Sequence, residues 1–261
     1  MERRNPTKLS LKTMDDVSIL LDVPKDKVAC IDIETTGLKF DTDEILQVSI
    51  CDGNEKILLD SYVCPLKRRR WNEAQKIHGI TWAMVKDSPS IVDLSEQIER
   101  ILGNADLIIG YNIIQFDFEF LRRGRVNLPT DKLVYDVMLD CSVLYGKWSD
   151  YYKNYSYISL KKMSEIYDIA YKAHDSAQDV VATVKVFYSL LEDEKLTSAI
   201  SESERSRREV SNRLVKNVTT VEAETDKVKQ MVGRLPKAVF IAIAIVVLIF
   251  LTTCISTLRG R

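Results

Sequence analysis

Seven residues constrain this chain more than any others: Val28-Ala29-Cys30-Ile31-Asp32-Ile33-Glu34, an apolar strand that finishes on two carboxylates. Side chains alternate across a strand, so Asp32 and Glu34 share one face. The apolar lead-in argues for a central strand rather than a wet edge. Burying two carboxylates side by side is strongly unfavourable unless cations or hydrogen-bond donors compensate. The chain must therefore build a sheet around this strand and bring something to its acidic end. Thr35-Thr36-Gly37 follows directly, a turn of small residues whose backbone can approach a ligand closely.

The surrounding pattern supplies the sheet. Glu44–Cys51 and Lys56–Val63 are two further β-rich runs, joined through Asp52-Gly53-Asn54, which reads as a hairpin turn. Ile91–Leu102 has helical periodicity and meets a stop at Gly103. Asp106–Gly110 reads as a short buried strand, Gln115–Arg123 as a helix stopped by Gly124, and Val134–Tyr135 as the last strand. Leu160–Tyr167 and Asp175–Leu191 read as helices. Three antiparallel strands followed by strand–helix units predict an α/β fold, one mixed sheet with flanking helices.

Two more carboxylates are candidates for the acidic site. Asp117 sits just after a strand near the start of a helix, where a carboxylate also complements the helix dipole. Asp179 lies one turn into the helix that Asp175 or Ser176 can cap, with His174 in the loop before it. The four carboxylates Asp32, Glu34, Asp117 and Asp179 offer hard oxygen ligands suited to two Mg²⁺ or Mn²⁺ ions rather than to zinc. Two such ions can activate water and stabilise a leaving oxygen, and a neutral His174 can take the water's proton. The chemistry implied is phosphodiester hydrolysis.

Three stretches together resemble the motifs of the DEDD exonuclease superfamily, histidine branch, whose members include the proofreading subunit of bacterial replicative DNA polymerase. They are Asp32-Ile33-Glu34-Thr35-Thr36-Gly37-Leu38, then Asn112 with Phe116-Asp117, then His174 with Asp179, in the family's order over residues 26–193. The resemblance implies a ribonuclease H-like fold and a metal-dependent 3′→5′ exonuclease. It also implies two divalent metals on Asp32, Glu34, Asp117 and Asp179, and His174 as general base. Thr35, Thr36, Gly37, Leu38, Asn112 and Phe116 become candidate substrate contacts. Ile77-His78-Gly79-Ile80-Thr81 is similar to a segment beside the substrate strand in that family, so His78 joins them, with a structural histidine as the alternative. The Thr35–Leu38 turn is similar to that of the DNA-directed members, which favours DNA over RNA.

Other contacts are less specific. Lys67-Arg68-Arg69-Arg70-Trp71 fits either a phosphate-and-base contact or a solvated loop. Tyr151, Tyr152, Tyr155 and Tyr157 are expected to pack a loop onto the core, with base stacking as the alternative. Arg122, Arg123 and Arg125 are expected at a helix end. The net charge of −1 means that nucleic-acid binding rests on local clusters and metals, not on bulk charge. Five scattered cysteines without metal-ligand spacing fit free thiols in a reducing compartment.

The far end is of another kind. Residues 238–258 carry no charge, enough apolar chain for a helix that spans a bilayer. No apolar run follows the charged N-terminus, so a secretory signal is not expected. Between them, Leu214, Val218, Val221, Thr225, Val228, Val232 and Leu235 repeat at spacings of four and three. This seam reads either as a solvated single helix or as a parallel coiled coil that forms a weak homodimer. The expected organisation is an N-terminal extension (1–25), an exonuclease domain (26–193), a helical linker (194–237) and a transmembrane helix (238–258). The enzyme is then held on a single-pass C-terminal anchor with its domain in the cytoplasm, acting on nucleic acid with a free 3′ end. The rival reading is a catalytically idle nuclease fold that tethers nucleic acid or a protein to the membrane. A polymerase-bound proofreading subunit fits the motifs but not the anchor.

Overall fold

The structure, a computed structural model, describes residues 9–170 and 175–233. The chain divides into two compact units, one ending at Glu204 and the other beginning at Arg205. The first unit opens with helix α1 (Met14–Leu21), fastened by a reciprocal cap between Thr13 and Asp16. Strands β1 (Val28–Thr35), β2 (Ile45–Asp52) and β3 (Ile57–Tyr62) follow, then helices α2 (Asn72–His78), α3 (Trp82–Val85) and α4 (Ile91–Asn104). Strand β4 (Leu107–Gly110), helix α5 (Asp117–Arg123), strand β5 (Leu133–Asp136) and helix α6 (Val137–Tyr145) complete the sheet and its cover. A short ribbon of β6 (Trp148–Ser149) and β7 (Asn154–Tyr155) leads to α7 (Leu160–Ile166), α8 (Ser176–Leu191) and α9 (Glu194–Gly233).

The five-stranded sheet has the order β3-β2-β1-β4-β5, with β1 antiparallel to β2, β2 antiparallel to β3, and β4 parallel to both β1 and β5. The acidic strand is therefore central, as its apolar lead-in required. All eight residues of β2 are buried, which shows that the sheet is covered on both faces. Ala29, Ile31 and Ile33 enter a core with Leu94, Ile98 and Leu102 of α4, spaced to share one helical face. Val28 and Cys30 point the other way, into a core with Val180, Val184, Phe187 and Leu190 of α8. A third, small core of Leu46, Trp71, Ile80 and Val85 seats the segment around α2 and α3.

Several expected boundaries moved for local reasons. Gly103 lies inside the last turn of α4, which continues to Asn104. Helix α5 begins at Asp117, because Phe116 still has non-helical backbone, and it ends at Gly124 as expected. The two-residue ribbon β6–β7 and helices α1, α2, α3 and α6 add to the elements read from the sequence. The described part of the stretch read as an N-terminal extension is packed: Leu11, Val17 and Leu20 are buried in the α8-side core. Asp140 fastens it by accepting from Ser10 N (2.5 Å), Ser10 Oγ (2.7 Å) and Leu11 N (3.2 Å). Leu196 and Ile200, in the first turns of α9, belong to the same core.

Of the predicted heptad seam, Leu214 and Thr225 are exposed on α9, and Leu235 lies outside the described residues. Among the described residues no helix is long and apolar enough to cross a membrane. The uncharged segment 238–258, predicted as the anchor, lies outside them.

Candidate metal centre and substrate cavity

The acids meet because one core changes character at its end. Along β1, Val28 and Cys30 face α8 from the apolar side, and the next two residues on that face are Asp32 and Glu34. On α8, Ser176 and Asp179 lie three apart at the helix start, below the buried Val180, Val184 and Phe187. Helix and strand thus turn from apolar to acidic at the same place. Ligand oxygens of Asp32, Glu34 and Asp179 all lie within 4.8 Å of one another.

Asp117 joins them through the backbone. Strand β4 pairs with β1 only at Val28, Ala29 and Cys30, and then turns away after Gly110. Gly110 is required there, because a Cβ would sit 2.7 Å from the Cβ of Ile113 and 3.0 Å from the Ile31 carbonyl. The gap leaves the Ile33 N–H without a strand partner, and Asp117 Oδ1 accepts from it at 3.1 Å. Asp117 is 2% exposed.

A cluster of this kind resists ionisation. Burial, then Asp117, Asp179 and Glu34, push the Asp32 carboxyl well above the usual carboxylate range. Burial and the charges of Asp179, Asp117 and Asp175 raise Glu34 to about 8. Asp117 is pushed up to about 8 by burial, against the pull of its own backbone N–H and that of Ile33, with Asp136 adding to the rise. Among the described residues no lysine or arginine pairs with Asp32, Glu34 or Asp117. Three converging carboxylates with a fourth beside them, all oxygen donors, fit hard divalent cations such as Mg²⁺ or Mn²⁺.

A cavity of about 650 Å³ opens beside Glu34. Thr35, Thr36, Gly37, Leu38, His78 and Phe116, six of the seven expected substrate contacts, line it. Asn112 is not in the lining. Its backbone is left-handed (φ 71°) and shapes the loop into α5, where its carbonyl accepts from Phe116 N at 3.0 Å. His174, the expected base, lies outside the described residues.

His78 has a structural task as well as a place in the wall. Its Nδ1 accepts from Ile80 N (3.0 Å), which leaves Nε2 to donate to the Thr35 carbonyl (3.2 Å). The imidazole therefore locks the Thr35–Leu38 turn to the α2–α3 segment. Arg68 and Arg70 of the basic run also line the cavity, while Trp71 is buried and donates to the Ile80 carbonyl at 2.8 Å. Trp71 thus anchors this segment while also contributing to the cavity lining. Arg69 lies over the Trp82 ring at 4.1 Å.

Sequence reasoning missed the residues that hold the walls. Asp43 accepts from Thr36 Oγ1 (3.0 Å) and Lys39 N (2.8 Å), and pairs with Arg68 (3.2 Å). A Cβ on Gly37 would stand 2.6 Å from its carboxylate oxygen, so any other residue there would have to push Asp43 off these partners. Glu44 takes the backbone N–H groups of Leu66 (2.8 Å), Lys67 (3.0 Å) and Arg68 (2.7 Å). Asp136 accepts from Asn112 N (2.9 Å), Ile114 N (3.3 Å) and Met138 N (3.2 Å), tying the loop before Asp117 to the start of α6. Its one sequence signal was a capping aspartate ahead of an apolar run. Asp175 is the N-cap of α8, yet its side chain accepts from Gln178 Nε2 (3.0 Å) instead of capping, and the Ser176 hydroxyl meets Ser49 Oγ at 2.5 Å.

A second depression of about 740 Å³ beside the end of α5 is lined by Arg122, Arg125 and Lys132 but by no carboxylate, so it offers no acidic ligand for a metal.

Comparison with known proteins agrees with this geometry. The RNase T model, described as exonuclease, matches residues 29–187. A DNA polymerase III subunit epsilon-like protein of Rhodobacter capsulatus is 31% identical over 185 residues, covering 67% of this chain and 25% of that protein. A PolC-type DNA polymerase III of Caldanaerobacter subterraneus is 26% identical over 166 residues, covering 62% of this chain and 11% of that protein. The chain thus spans a quarter or less of the length of these relatives. Among solved structures, E. coli exonuclease I in complex with a dA16 oligonucleotide superposes with a TM-score of 0.53 at 18% identity, over 67% of this chain and 42% of that one. An exonuclease I from Methylocaldum szegediense gives 0.51 at 21% identity, over 64% and 40%. At such identities the superpositions speak for the fold, which is ribonuclease H-like. With its family match running from the acidic strand through α8, this chain belongs to the RNase T exonuclease family.

Proposed function

We propose that this chain is a metal-dependent 3′→5′ exonuclease of the DEDD histidine branch, removing nucleotides from the free 3′ end of nucleic acid, DNA in preference to RNA. The convergence of Asp32, Glu34 and Asp179 within 4.8 Å, with Asp117 held beside them by Ile33 N, carries this reading. Asp32, Glu34, Asp117 and Asp179 are the ligands of two Mg²⁺ or Mn²⁺ ions, which when bound offset the crowded negative charge and lower the pKa of an attacking water. The protein's own groups do the rest. The Thr35–Leu38 turn, His78 and Phe116 form the wall against which the terminal nucleotide is placed, and the exposed Arg70 faces its phosphates. His174, five residues before Asp179, accepts the water's proton at its imidazole, a role typically worth about 10²–10⁴ in rate.

The full-length protein with Mg²⁺ should release the label from a 3′-labelled strand at the first turnover and shorten a 5′-labelled strand progressively. Asp32→Asn should abolish both. Release of the 5′ label first would refute the direction, and an active Asp32→Asn protein would refute the site. Matched single-stranded DNA and RNA of one sequence, compared under the same conditions, decide the sugar preference.

The address is part of the proposal. The uncharged segment 238–258 supports a single-pass C-terminal anchor, and we place the nuclease on the cytoplasmic face. Protease protection of vesicles tests it, and a nuclease domain digested from outside intact cells would reverse the orientation. The heptad spacing between Leu214 and Leu235 supports a weak homodimer, which crosslinking at the membrane would reveal.

A further inference from the structure

Of the four tyrosines expected to pack a loop onto the core, Tyr155 and Tyr157 are half-buried, but Tyr151 and Tyr152 are not packed down at all. The strand pairs are only Trp148 with Tyr155 and Ser149 with Asn154, so the ribbon is a tight hairpin. It is nevertheless well braced. The Trp148 and Tyr155 rings meet edge-on at 5.0 Å, Ser156 N donates to the Lys147 carbonyl (2.8 Å), and Lys147 N donates to Ser156 Oγ (2.9 Å). Trp148 Nε1 donates to Asp150 (3.1 Å) and Tyr152 N to Ser149 Oγ (3.3 Å), which fixes the tip. At that tip Tyr151 is 87% and Tyr152 73% exposed, their rings edge-to-face at 4.8 Å. A turn is ordinarily built from small polar residues. Two adjacent tyrosines held outward on a braced hairpin add nothing to this core.

Position and charge say what such a tip fits. Just beyond the ribbon, Tyr157 donates its hydroxyl to Gln115 Oε1 (3.1 Å), and Tyr111 donates to the Ile158 carbonyl (2.9 Å). Gln115 is adjacent to Phe116, which lines the cavity, and two residues from Asp117. The hairpin is thus bolted to the segment that carries one wall of the site, and the five residues from Tyr157 to Tyr152 span at most about 17 Å. Between 147 and 165 the chain has four lysines (Lys147, Lys153, Lys161, Lys162) against two acids, Asp150 and Glu165, which pair with Lys153 (3.6 Å) and Lys162 (2.9 Å), a local excess of two positive charges in a molecule whose net charge is −1. Rigid aromatics flanked by cations match single-stranded nucleic acid, whose bases stack on aromatic faces while the phosphates meet lysines.

We propose that the β6–β7 hairpin is a stacking platform for the single strand leading to the catalytic cavity, with Tyr151 and Tyr152 contacting bases upstream of the terminal nucleotide. The proposal rests on the exonuclease reading for its substrate, but its test separates the two. In an Asp32→Asn background, affinity for a fluorescent oligothymidylate of about twenty nucleotides is measured by anisotropy with Mg²⁺ present. Tyr151→Ala with Tyr152→Ala should weaken binding about tenfold or more, whereas the Phe pair, which keeps both rings, should stay within about twofold. In the active protein, the Ala pair should lower the ratio of kcat/KM on the long strand to that on a dinucleotide by a similar factor. Unchanged oligonucleotide affinity in the Ala pair overturns the proposal. So does a loss of affinity for anionic lipid vesicles alone, which would assign the tyrosines to a membrane surface. If the wild-type protein hydrolyses neither substrate while binding still depends on the tyrosines, the exonuclease reading fails and the platform stands.

Discussion

The two faces of β1 are built from the same strand, one buried along its whole length and the other opening to half-buried at its acidic end, and do opposite things. On one face Ala29, Ile31 and Ile33 are sealed against α4 and contribute only burial. On the other, Val28 and Cys30 do the same against α8, and then Asp32 and Glu34 stand where two more core residues would be. The difference is one of sign. The first face stabilises the fold whatever the solution contains, whereas the acidic end opposes folding until cations arrive.

The largest effects should separate the faces cleanly. Asp32→Asn should lower hydrolysis by on the order of 10³-fold or more, as the loss of a metal ligand requires. In chelator at pH 8 the same change should raise the melting temperature, because burial and the neighbouring carboxylates make the ionised Asp32 carboxyl unfavourable in the folded chain and an amide carries no such penalty. Ile31→Ala, its neighbour on the other face, should cost about 3 kcal/mol of stability, with activity per folded molecule nearly unchanged. Parallel denaturant melts and single-turnover assays check the pair. If Asp32→Asn also melts early in chelator, the acidic face is holding the fold together and the contrast is wrong.

Removing metal sharpens the comparison further. Glu34 and Asp117 titrate near 8 in the folded chain, above their ordinary values, chiefly because burial disfavours the charged form. A raised carboxyl favours the folded state fully below its unfolded pKa, and that contribution is lost as pH rises through the folded value. In EDTA the melting temperature should therefore fall between about pH 5 and pH 8. Saturating Mn²⁺ should reverse the fall, so that the gap between the two curves widens with pH. Calorimetry at fixed ionic strength reads this directly, and a gap that narrows toward pH 8 would falsify the metal assignment.

Much of this contrast was legible in the sequence, because it depends on local alternation. The strand containing Asp32 and Glu34, the antiparallel pair β2 and β3 that follows it, and the helix carrying Asp179 are all set by short-range periodicity. What was not legible depends on contacts between distant residues. Asp136 reaches back 24 residues to Asn112, Glu44 reaches forward 24 to Arg68, and Asp140 holds Ser10 across 130. In the sequence these are ordinary acids in ordinary positions. The exposure of Tyr151 and Tyr152 was misjudged for a related reason. An aromatic-rich loop usually packs down, and nothing in its composition shows that Trp148 and Tyr155 brace it while the tip stands clear. Asn112 is an intermediate case, its motif spacing plain but its task, a left-handed turn, visible only in the backbone.

A smaller effect should come from the support behind Asp117. Asp136→Ala frees the N–H groups of Asn112, Ile114 and Met138, and should cost about 1–3 kcal/mol while lowering kcat more than it raises KM. Asp136→Asn keeps one acceptor oxygen and should fall between that variant and the wild type. If both variants keep wild-type kcat, the loop before Asp117 is held by packing alone.

The smallest effect probes the seam where the two characters of the α8-side face meet. Ser49 lies opposite Asp32 in the β1–β2 register and is fully buried, as is Ser176 at the start of α8. Asp60 Oδ1 accepts from Ser49 Oγ (2.8 Å) and from Gln47 Nε2 (2.8 Å), which leaves Ser176 to donate its hydroxyl proton to Ser49. This chain fastens the first turn of α8, and with it Asp179, to the sheet beside the acids. Ser49→Ala strands the Ser176 hydroxyl in a buried site and should cost about 1–2 kcal/mol. The same variant should loosen Mn²⁺ binding severalfold, because Asp179 reaches the cluster from the turn that Ser176 begins. The double variant with Ser176→Ala removes the stranded group, so it should recover much of the stability without recovering the metal affinity. That split between a melt and a titration distinguishes a network that merely fills the interior from one that aims a ligand. Recovery of both together would place Ser49 with the inert face of the strand, not with the acidic one.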